Sequence, residues 1–266
     1  MTPVEILSIG GSVLVGLALG ATGAGGAILL VPLLTYGLSV PAERAAGQSS
    51  VVLGCIGAAG AVASLRRSEV SVPDFWRYLP GVVIGAYLGR AWLVEALPRS
   101  LSLGGQAWPR GSYLMLCLAV VMVAAGAQML RPRSEPDRPP RPWIGVVAGL
   151  VVGVLTGLLG AGGGFLLVPA LVLASQLQPR IAAGTSLGLV ACGTAVAGAT
   201  ELARHGDLVS WPNLAMVGVG AGLGMAVGMA VRSKAPTGAL RTVMAALILV
   251  VALGIAVAEV LPRIGP

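Results

Sequence analysis

The sequence predicts an all-α membrane protein built from two homologous halves of about five transmembrane segments each. Three observations predict it: a very low charge content, long uncharged runs, and a block of residues that occurs twice at one fixed spacing. Of the 266 residues, 56% are hydrophobic and 10% are charged, whereas a soluble domain carries about 25% charged residues. So few charges cannot cover a surface that faces water, and most of the apolar surface must therefore face lipid.

The uncharged runs have the length of membrane-spanning helices. A bilayer core of about 30 Å takes roughly 20 helical residues to cross, and two of the runs are long enough for more than one helix. A transmembrane β-barrel would alternate apolar and polar residues, and Leu114–Ala127 shows no such alternation. The runs without Asp, Glu, Lys or Arg are Ile6–Ala42, Ala45–Leu65, Ser112–Leu130, Trp143–Gln178, Ile181–Thr200, Trp211–Val231 and Thr242–Ala258.

The net charge of +7 comes mainly from Arg residues near the ends of these runs, where such residues anchor membrane helices. Aromatic residues make up only 4% of the chain, so the basic and aromatic footprint of a nucleic-acid-binding surface is missing and no nucleic-acid partner is expected. The start of the chain lacks the basic region of a cleaved signal peptide. These features indicate a multi-pass protein of a bacterial-type inner membrane, with the lipid bilayer as its surroundings.

The repeated block is the clearest sign of two homologous halves. Residues Gly16–Pro32 reappear as Gly153–Pro169, with an offset of 137 residues. A self-similarity of this kind indicates a duplicated structural unit. The same offset places Ala45–Ser50 on Ala182–Leu187, Cys55 on Cys192 and Arg67 on Arg204, and with a shift of two residues Gly81-x3-Gly85-x3-Gly89 matches Gly220-x3-Gly224-x3-Gly228.

The halves are predicted to occupy residues 1–130 and 143–266, joined by an extended, solvated linker at 131–142 that is rich in Pro and Arg. In each half the second segment is short and follows a glycine-rich break. The predicted segments are 5–22, 27–38, 45–65, 73–96 and 111–130 in the first half and 142–159, 164–175, 181–203, 211–232 and 238–260 in the second.

The distribution of positive charge bears on whether the short segments cross the membrane. If they cross, a clear majority of the Arg and Lys residues falls on the face that carries the linker; if they do not, the two faces are nearly equal. Cytoplasmic loops carry the excess of positive charge. The sequence therefore favours inverted five-segment halves, with the linker in the cytoplasm and both termini outside.

The two breaks, Gly23–Gly26 and Gly160–Gly164, are the strongest candidates for a site. Each Gly costs a helix about 1 kcal/mol relative to Ala, so a cluster interrupts it. Unwound backbone at membrane depth is tolerated only inside the protein or along a watery cavity, and a helix that restarts there points N–H groups at that cavity. Two such ends would form an anion site at the membrane midplane, although tight helix crossing would also explain the glycines.

Polar side chains at equivalent positions of the halves are the second candidate group. Gln48, Ser49 and Ser50 in the first half correspond to Thr185 and Ser186 in the second. Their amide and hydroxyl groups suit an anion that must be released, and they would also suit helix caps. The predicted substrate-binding residues are Thr22, Gly23, Gly25, Gly26, Gln48, Ser49, Ser50, Gly160, Gly162, Gly163, Gly164, Thr185 and Ser186.

Three further residues are possible pore-lining positions. Cys55 and Cys192 occupy equivalent positions and are either small buried hydrophobes or pore-lining thiols. Arg90 lies within an apolar segment, where a charge indicates function, but it is near enough to the segment end to extend toward the membrane surface. Arg67 and Arg204 are interpreted as anchors, and His205 is placed in a loop, away from any metal or catalytic site.

The paired blocks G-x3-G-x2-G-x-G-G-x5-V-P and A-x-G-[QT]-S-[SL] resemble those of the sulfite exporter TauE/SafE family, also called the 4-toluene sulfonate uptake permease family. The resemblance covers nearly the whole chain. It implies a cell-membrane transporter of sulfur-containing anions such as sulfite, sulfoacetate or other organosulfonates. Ala27 stands where the second half has Gly164, and Gln48-Ser49-Ser50 stands where Thr-Ser-Leu is more usual, so the resemblance leaves the substrate open.

The function predicted from these features is secondary transport of a small anion, in which two halves rock about a central site. No ATP-binding motif is present in the sequence, so coupling to a proton or sodium ion is possible, as is a homo-oligomer. We expect neither an enzyme nor a cofactor or metal site. A passive anion channel and a non-transporting membrane assembly protein are the alternatives.

Overall fold

The computed structural model describes residues 3–103, 106–130, 142–205, 211–234 and 237–264. These residues form ten helical segments and one short hairpin. The predicted linker, apart from Pro142, lies outside the described residues. The helices are α1 (Pro3–Thr22), α2 (24–37), α3 (Ala42–Arg66), α4 (72–96), α5 (Arg110–Leu130), α6 (Pro142–Leu159), α7 (Gly164–Ala174), α8 (Pro179–His205), α9 (Trp211–Lys234) and α10 (Thr237–Ile264).

Two of the helices are not regular along their whole length. Helix α2 begins as a 3-10 helix at Ala24–Leu29, passes through one α-helical turn at Leu30–Pro32 and ends as a π-helix at Leu33–Gly37. Helix α4 contains a π-helical turn at Gly89–Leu93. Such turns are rare in α-helices and occur frequently at functional sites.

The helical architecture predicted from the sequence is confirmed, and the bounds of each segment agree within a few residues. The second segment, predicted to begin near residue 27, begins slightly earlier, with a 3-10 helix at Ala24. The prediction of a loop around His205 is wrong, since His205 is the last residue of α8. A hairpin of β1 (Ser100–Leu103) and β2 (Gln106–Pro109), with Leu101 opposite Trp108, lies between two predicted segments.

The surface of the bundle is apolar and much of its polar chemistry is internal. Large apolar side chains such as Leu14, Val120 and Leu253 are exposed, whereas Ser12 and Thr194 are fully buried. Four helices among the described residues are long and apolar enough to cross a bilayer, with spans at Ala42–Arg66, Arg110–Ala127, Pro179–Arg204 and Trp211–Arg232. Shorter apolar helices occur at Ile9–Thr22, Gly26–Gly37, Gly145–Leu159 and Ala245–Leu261. An apolar exterior is stable only in lipid, so the chain is a multi-pass membrane protein.

The helices pack in pairs, most closely α1 with α9, α4 with α6, α3 with α8 and α5 with α10. Glycines allow the first two pairs to approach backbone to backbone. A Cβ atom at Gly85 of α4 would lie 2.4 Å from the carbonyl oxygen of Leu150 in α6, and one at Gly224 of α9 would lie 2.0 Å from that of Val13 in α1. Close backbone packing of this kind stabilises helix pairs in lipid, where apolar side chains gain nothing by leaving the solvent.

The central pair, α3 and α8, is antiparallel, and its two ends are named here after their buried acids. At the Glu201 end, Gly47 near the start of α3 faces Glu201 near the end of α8. At the Glu69 end, Gly184 near the start of α8 faces the backbone of Glu69, which follows α3. These two ends give the frame in which the short helices are placed.

Helix α7 returns the chain to the end at which α6 begins. Gly145 in the first turn of α6 lies against Tyr78, near the start of α4, and Gly157 in the last turn lies against Arg90, near the end of α4. Helix α7 then runs back, so that the carbonyl oxygen of Ala170 accepts a hydrogen bond of 3.3 Å from the Tyr78 hydroxyl. Helices α6 and α7 therefore form an antiparallel pair joined at the break.

The glycine contacts make a stability prediction on α9. Gly224→Ala should separate α1 from α9, because its Cβ would meet the Val13 carbonyl, and such overpacking costs about 1–3 kcal/mol. Gly222→Ala is the matched control on the same helix, since nothing lies within 4 Å of its added Cβ. In thermal unfolding of the detergent-purified protein, we expect a lower midpoint for Gly224→Ala alone; equal midpoints would contradict the packing.

Candidate substrate-binding site

Both breaks adopt backbone conformations that exclude a continuous helix. Gly23, Gly160, Gly162 and Gly163 have φ angles of 82°, 65°, 69° and 57°. In this left-handed region a Cβ atom crowds the following carbonyl, at a cost of about 1–2 kcal/mol per residue. Glycine avoids that cost, so these positions break the helices as the sequence predicts.

Each break packs against the central helix that follows the other break. A Cβ at Gly160 would lie 2.0 Å from the carbonyl oxygen of Ala46 in α3, and one at Gly23 would lie 2.8 Å from the Cα of Ala183 in α8. The offset of 137 residues relates Gly23 to Gly160 and Ala46 to Ala183. The small residues of the A-x-G motif therefore leave room for the backbone of a break.

Ser49 joins the second break to α3. Its hydroxyl lies 2.7 Å from the carbonyl oxygen of Gly160 and 2.9 Å from that of Ala46, and the side chain is fully buried. The carbonyl of Gly160 stands just past the end of α6, where helix carbonyls lack partners within the helix. Ser49 thus satisfies a polar group that the break exposes.

The other predicted hydroxyls donate to carbonyls of their own helices. Thr22 donates to Ala18 at 2.7 Å, and Thr185 donates to Ile181 at 2.8 Å. The alternative that the polar residues of α3 are caps is wrong, because the helix begins after Pro41, more than one turn before Gln48. Ser50 and Ser186 likewise donate to Ala46 and Ala183, and Gln48 is also buried.

The centre between the breaks is apolar. A Cβ at Gly162 would lie 3.0 Å from Ala27, 3.2 Å from Leu53 and 3.3 Å from Val190. Gly26 faces away from this centre, since its added Cβ would meet the backbone of α1 at Leu19. The structure therefore brings the two breaks together in a small apolar contact against α3 and α8. The polar side chains of α3 lie toward the Glu201 end of this contact, and those of α8 lie toward the Glu69 end.

Arg90 lies inside the protein, and the interpretation that it extends to the membrane surface is wrong. The side chains of Arg90 and Glu201 are only 6% and 7% exposed, and their Nε and Oε2 atoms are 3.0 Å apart. Nη2 of Arg90 contacts the same carboxylate and donates to the Glu43 carbonyl at 3.3 Å. The pair rests on Gly47, where an added Cβ would lie 2.3 Å from Cγ of Glu201.

A second cluster occupies the Glu69 end. The Glu69 carboxylate accepts a hydrogen bond of 2.7 Å from Nε of Arg180 and another from Nη2 of Arg232. The side chains of Glu69 and Arg232 are buried, whereas Arg180 is 59% exposed. Glu69, Glu201 and Arg232 were not among the predicted site residues, because each stands next to the end of a predicted segment, where charged residues usually anchor a helix.

The remaining residues considered from the sequence belong neither to the breaks nor to the two ion-pair clusters. Cys55 is exposed, so it is not the small buried hydrophobe considered above, and Cys192 is half-buried. Arg204 pairs with Glu95 and also donates to the Ala91 carbonyl at 3.1 Å. Arg67 is exposed, and one of its nitrogens lies 3.4 Å from the Met229 carbonyl, as suits an anchoring residue.

A profile of the sulfite exporter TauE/SafE family matches residues 8–255 of the chain. The chain belongs to the sulfite exporter TauE/SafE family. As a TauE/SafE protein it is a membrane transporter and not an enzyme. The matched residues include both breaks, both central helices and the two buried ion-pair clusters.

Relatives in two bacteria have similar names. The chain is 32% identical over 260 residues to a "Probable membrane transporter protein" of Xylella fastidiosa (strain 9a5c), with 93% of each chain covered. It is 26% identical over 254 residues to the "Probable membrane transporter protein YunE" of Bacillus subtilis (strain 168), with 85% of this chain and 89% of the relative covered. No solved structure matches the TauE/SafE protein.

Neighbouring serines of α3 allow a matched test of the break. Ser49→Ala removes a hydroxyl that reaches Gly160 across 111 residues of sequence, whereas Ser50→Ala removes one that bonds only within α3 among the described contacts. We expect Ser49→Ala to lower the free energy of unfolding by about 1–3 kcal/mol, because the buried Gly160 carbonyl loses its partner. Chemical or thermal denaturation of the purified variants measures it, and an equal or larger effect of Ser50→Ala would contradict the assignment.

Proposed function

We propose that this TauE/SafE protein carries a small sulfur-containing anion, such as sulfite, sulfoacetate or another organosulfonate, across the bacterial cell membrane by alternating access. The observation that carries the proposal is the meeting of two broken helices at the centre of α3 and α8, with a buried ion-pair cluster at each end. Broken helices at mid-membrane are the usual construction of substrate sites in secondary transporters. The family profile supports the class of substrate.

The proposal includes two inverted halves. Related contacts recur between equivalent residues of the repeat: Gly85 lies against Leu150 as Gly224 lies against Val13. Leu150 is equivalent to Val13 at the offset of 137 residues, and Gly224 is equivalent to Gly85 with the shift of two residues. The return path of α7 also supports it, because a second segment that runs back leaves an odd number of crossings in each half. Halves with an odd number of crossings have opposite orientations in the membrane.

The α3–α8 interface is suited to movement. Its facing residues are small: an added Cβ at Gly54 would lie 3.5 Å from Ala195, and one at Gly57 would lie 3.4 Å from Ala191. Packed helices with smooth faces can slide by small shear displacements. Such a displacement would open the cluster at one end while the other stays closed.

In this account the anion crosses between residues 23–27 and 160–164. Entry into a low-dielectric site removes its hydration, which must be replaced by donors. The N–H groups at the starts of α2 and α7 border this path. The polar groups of Gln48, Ser49 and Ser50 lie toward its Glu201 end, and those of Thr185 and Ser186 lie toward its Glu69 end. They become donors to the anion when the apolar contact of Ala27, Leu53 and Val190 opens.

Transport can be measured with purified protein in proteoliposomes. We expect substrate-dependent flux of sulfite or of a small sulfonate that saturates with concentration, because alternating access turns over a limited number of sites. Chloride, an anion without oxygen atoms, serves as the control. Flux that rises linearly without saturation would indicate a channel, and the absence of flux for every oxyanion tested would contradict the proposal.

The orientation of the chain is tested by cysteine labelling in sealed cells. On a background without Cys55, Cys117 and Cys192, Ser134→Cys places a thiol in the linker and Ser100→Cys places one in the hairpin at the Glu201 end. We expect a membrane-impermeant maleimide to label Ser100→Cys in intact cells and Ser134→Cys only after permeabilisation, since the positive charges favour a cytoplasmic linker. Labelling of the linker from outside would contradict the orientation.

A further inference from the structure

We infer that Arg90 and Arg232 recognise the charge of the transported anion, and that Glu201 and Glu69 occupy the anion's place when each end is closed. The inference deepens the proposed function and rests on it. It assigns the ligand a chemical class, a small oxyanion with at least two oxygen atoms available to a guanidinium group. It also gives the two buried clusters equivalent roles at opposite ends of one path.

The first support is the cost of keeping these charges inside. Burying two charges in a low-dielectric interior costs several kcal/mol per ion, and ion pairs often recover no more than that cost. Arg90 and Glu201 are nevertheless almost fully buried. Ionisable residues inside a membrane protein usually mark substrate or ion pathways. The Arg90–Glu201 pair is therefore better explained by a role in transport than by a contribution to stability.

The second support is the imbalance of the Glu69 cluster. One carboxylate faces two guanidinium groups, from Arg180 and Arg232, and this group of three side chains therefore carries an excess positive charge. Among the described residues, Nη1 of Arg232 is buried and has no hydrogen-bond partner. A buried donor without a partner is costly, and an oxygen atom of an anion would satisfy it.

The third support is the state of the neutral donors. The hydroxyls of Ser49, Thr185 and Ser186 already donate to backbone carbonyls, so none is presented to a ligand in this structure. A guanidinium group presents paired N–H donors that fit a carboxylate, and it binds oxyanions of phosphate type in the same two-point manner. Sulfite and sulfonate groups, like phosphate, carry several oxygen atoms on one central atom, so a guanidinium group can bind two of them at once.

The carboxylates solve the problem of release. A buried arginine alone would hold an anion strongly, but here Glu201 and Glu69 compete for the same N–H groups. Gly47 leaves room for the Arg90–Glu201 pair at one end, and the equivalent Gly184 lets the Glu69 backbone approach α8 at the other. The anion would thus be exchanged against an acid of the chain at each end, which keeps binding reversible.

The experiment measures anion binding and flux for matched charge variants. Purified wild type and variants are titrated with sulfite and with methanesulfonate by isothermal titration, and flux is measured in proteoliposomes. We expect Arg90→Gln and Arg232→Gln to weaken binding by about tenfold or more, the loss typical of hydrogen bonds between charged groups. Glu201→Gln should instead tighten binding several-fold while slowing flux, because the competing charge is gone but the side-chain shape remains.

Glu95→Gln is the control, since Glu95 also pairs with an arginine near the Glu201 end but is 62% exposed; it should bind and transport like the wild type. A purely structural ion pair could not give tighter binding in Glu201→Gln. Weaker binding in Glu201→Gln, or wild-type binding in folded Arg90→Gln and Arg232→Gln, would overturn the inference. Saturable flux through the wild-type protein would still support the proposed transport function in that case. If wild type neither binds nor moves either anion, the proposed substrate class itself fails, and the inference with it.

Discussion

Close approach of helix backbones is the constraint on which this structure depends. In lipid, helices gain little from apolar side chains alone, and association relies on packing and on internal polar contacts. Gly16, Gly20, Gly153 and Gly157 leave less than 3 Å between their added Cβ atoms and facing backbone atoms. This packing brings α1 to α9 and α4 to α6, and the two pairs enclose the central helices.

The same constraint shapes the site. Because Ala46 and Ala183 are small, the unwound backbone at Gly160 and Gly23 can lie directly against α3 and α8. Because residue 47 is a glycine, a buried arginine and glutamate can stand next to α3. Small residues therefore serve three purposes at once: they pack helices, hold the breaks in position and make room for charge within the bundle.

Much of the fold could be predicted from the sequence, because uncharged runs and glycine clusters report directly on local structure. The end of α6 and the start of α7 follow from the cluster Gly160–Gly164 without any knowledge of tertiary contacts. The early 3-10 start of α2 could not be predicted so easily, since Ala27 stands where the second cluster has Gly164 and the balance between helix types is small. The hairpin at 100–109 has too little apolar alternation to be distinguished from a loop.

The breaks and the buried polar residues of the candidate site were also predictable from the sequence, but the acids that pair with the buried arginines were not. Glu201 ends an uncharged run and is followed by Arg204, so it has the appearance of a flanking residue in the sequence. Its pairing with Arg90 depends on the folding of α4 against α8, which no local pattern encodes. The available signal was that an arginine inside the membrane needs an acidic partner. Glu201, near the end of the central helix α8, is that partner.

Alternating access requires the two ends of the α3–α8 pair to open one at a time. Pulsed electron paramagnetic resonance in nanodiscs can measure this opening, with spin labels at Ala96 and Ala203 across the Glu201 end and at Ser68 and Val231 across the Glu69 end. These four positions are exposed, so labels there leave the buried clusters intact. When saturating sulfite or sulfonate is added, we expect a longer distance at one end and an unchanged or shorter distance at the other. Lengthening at both ends together, or no change at either, would contradict it.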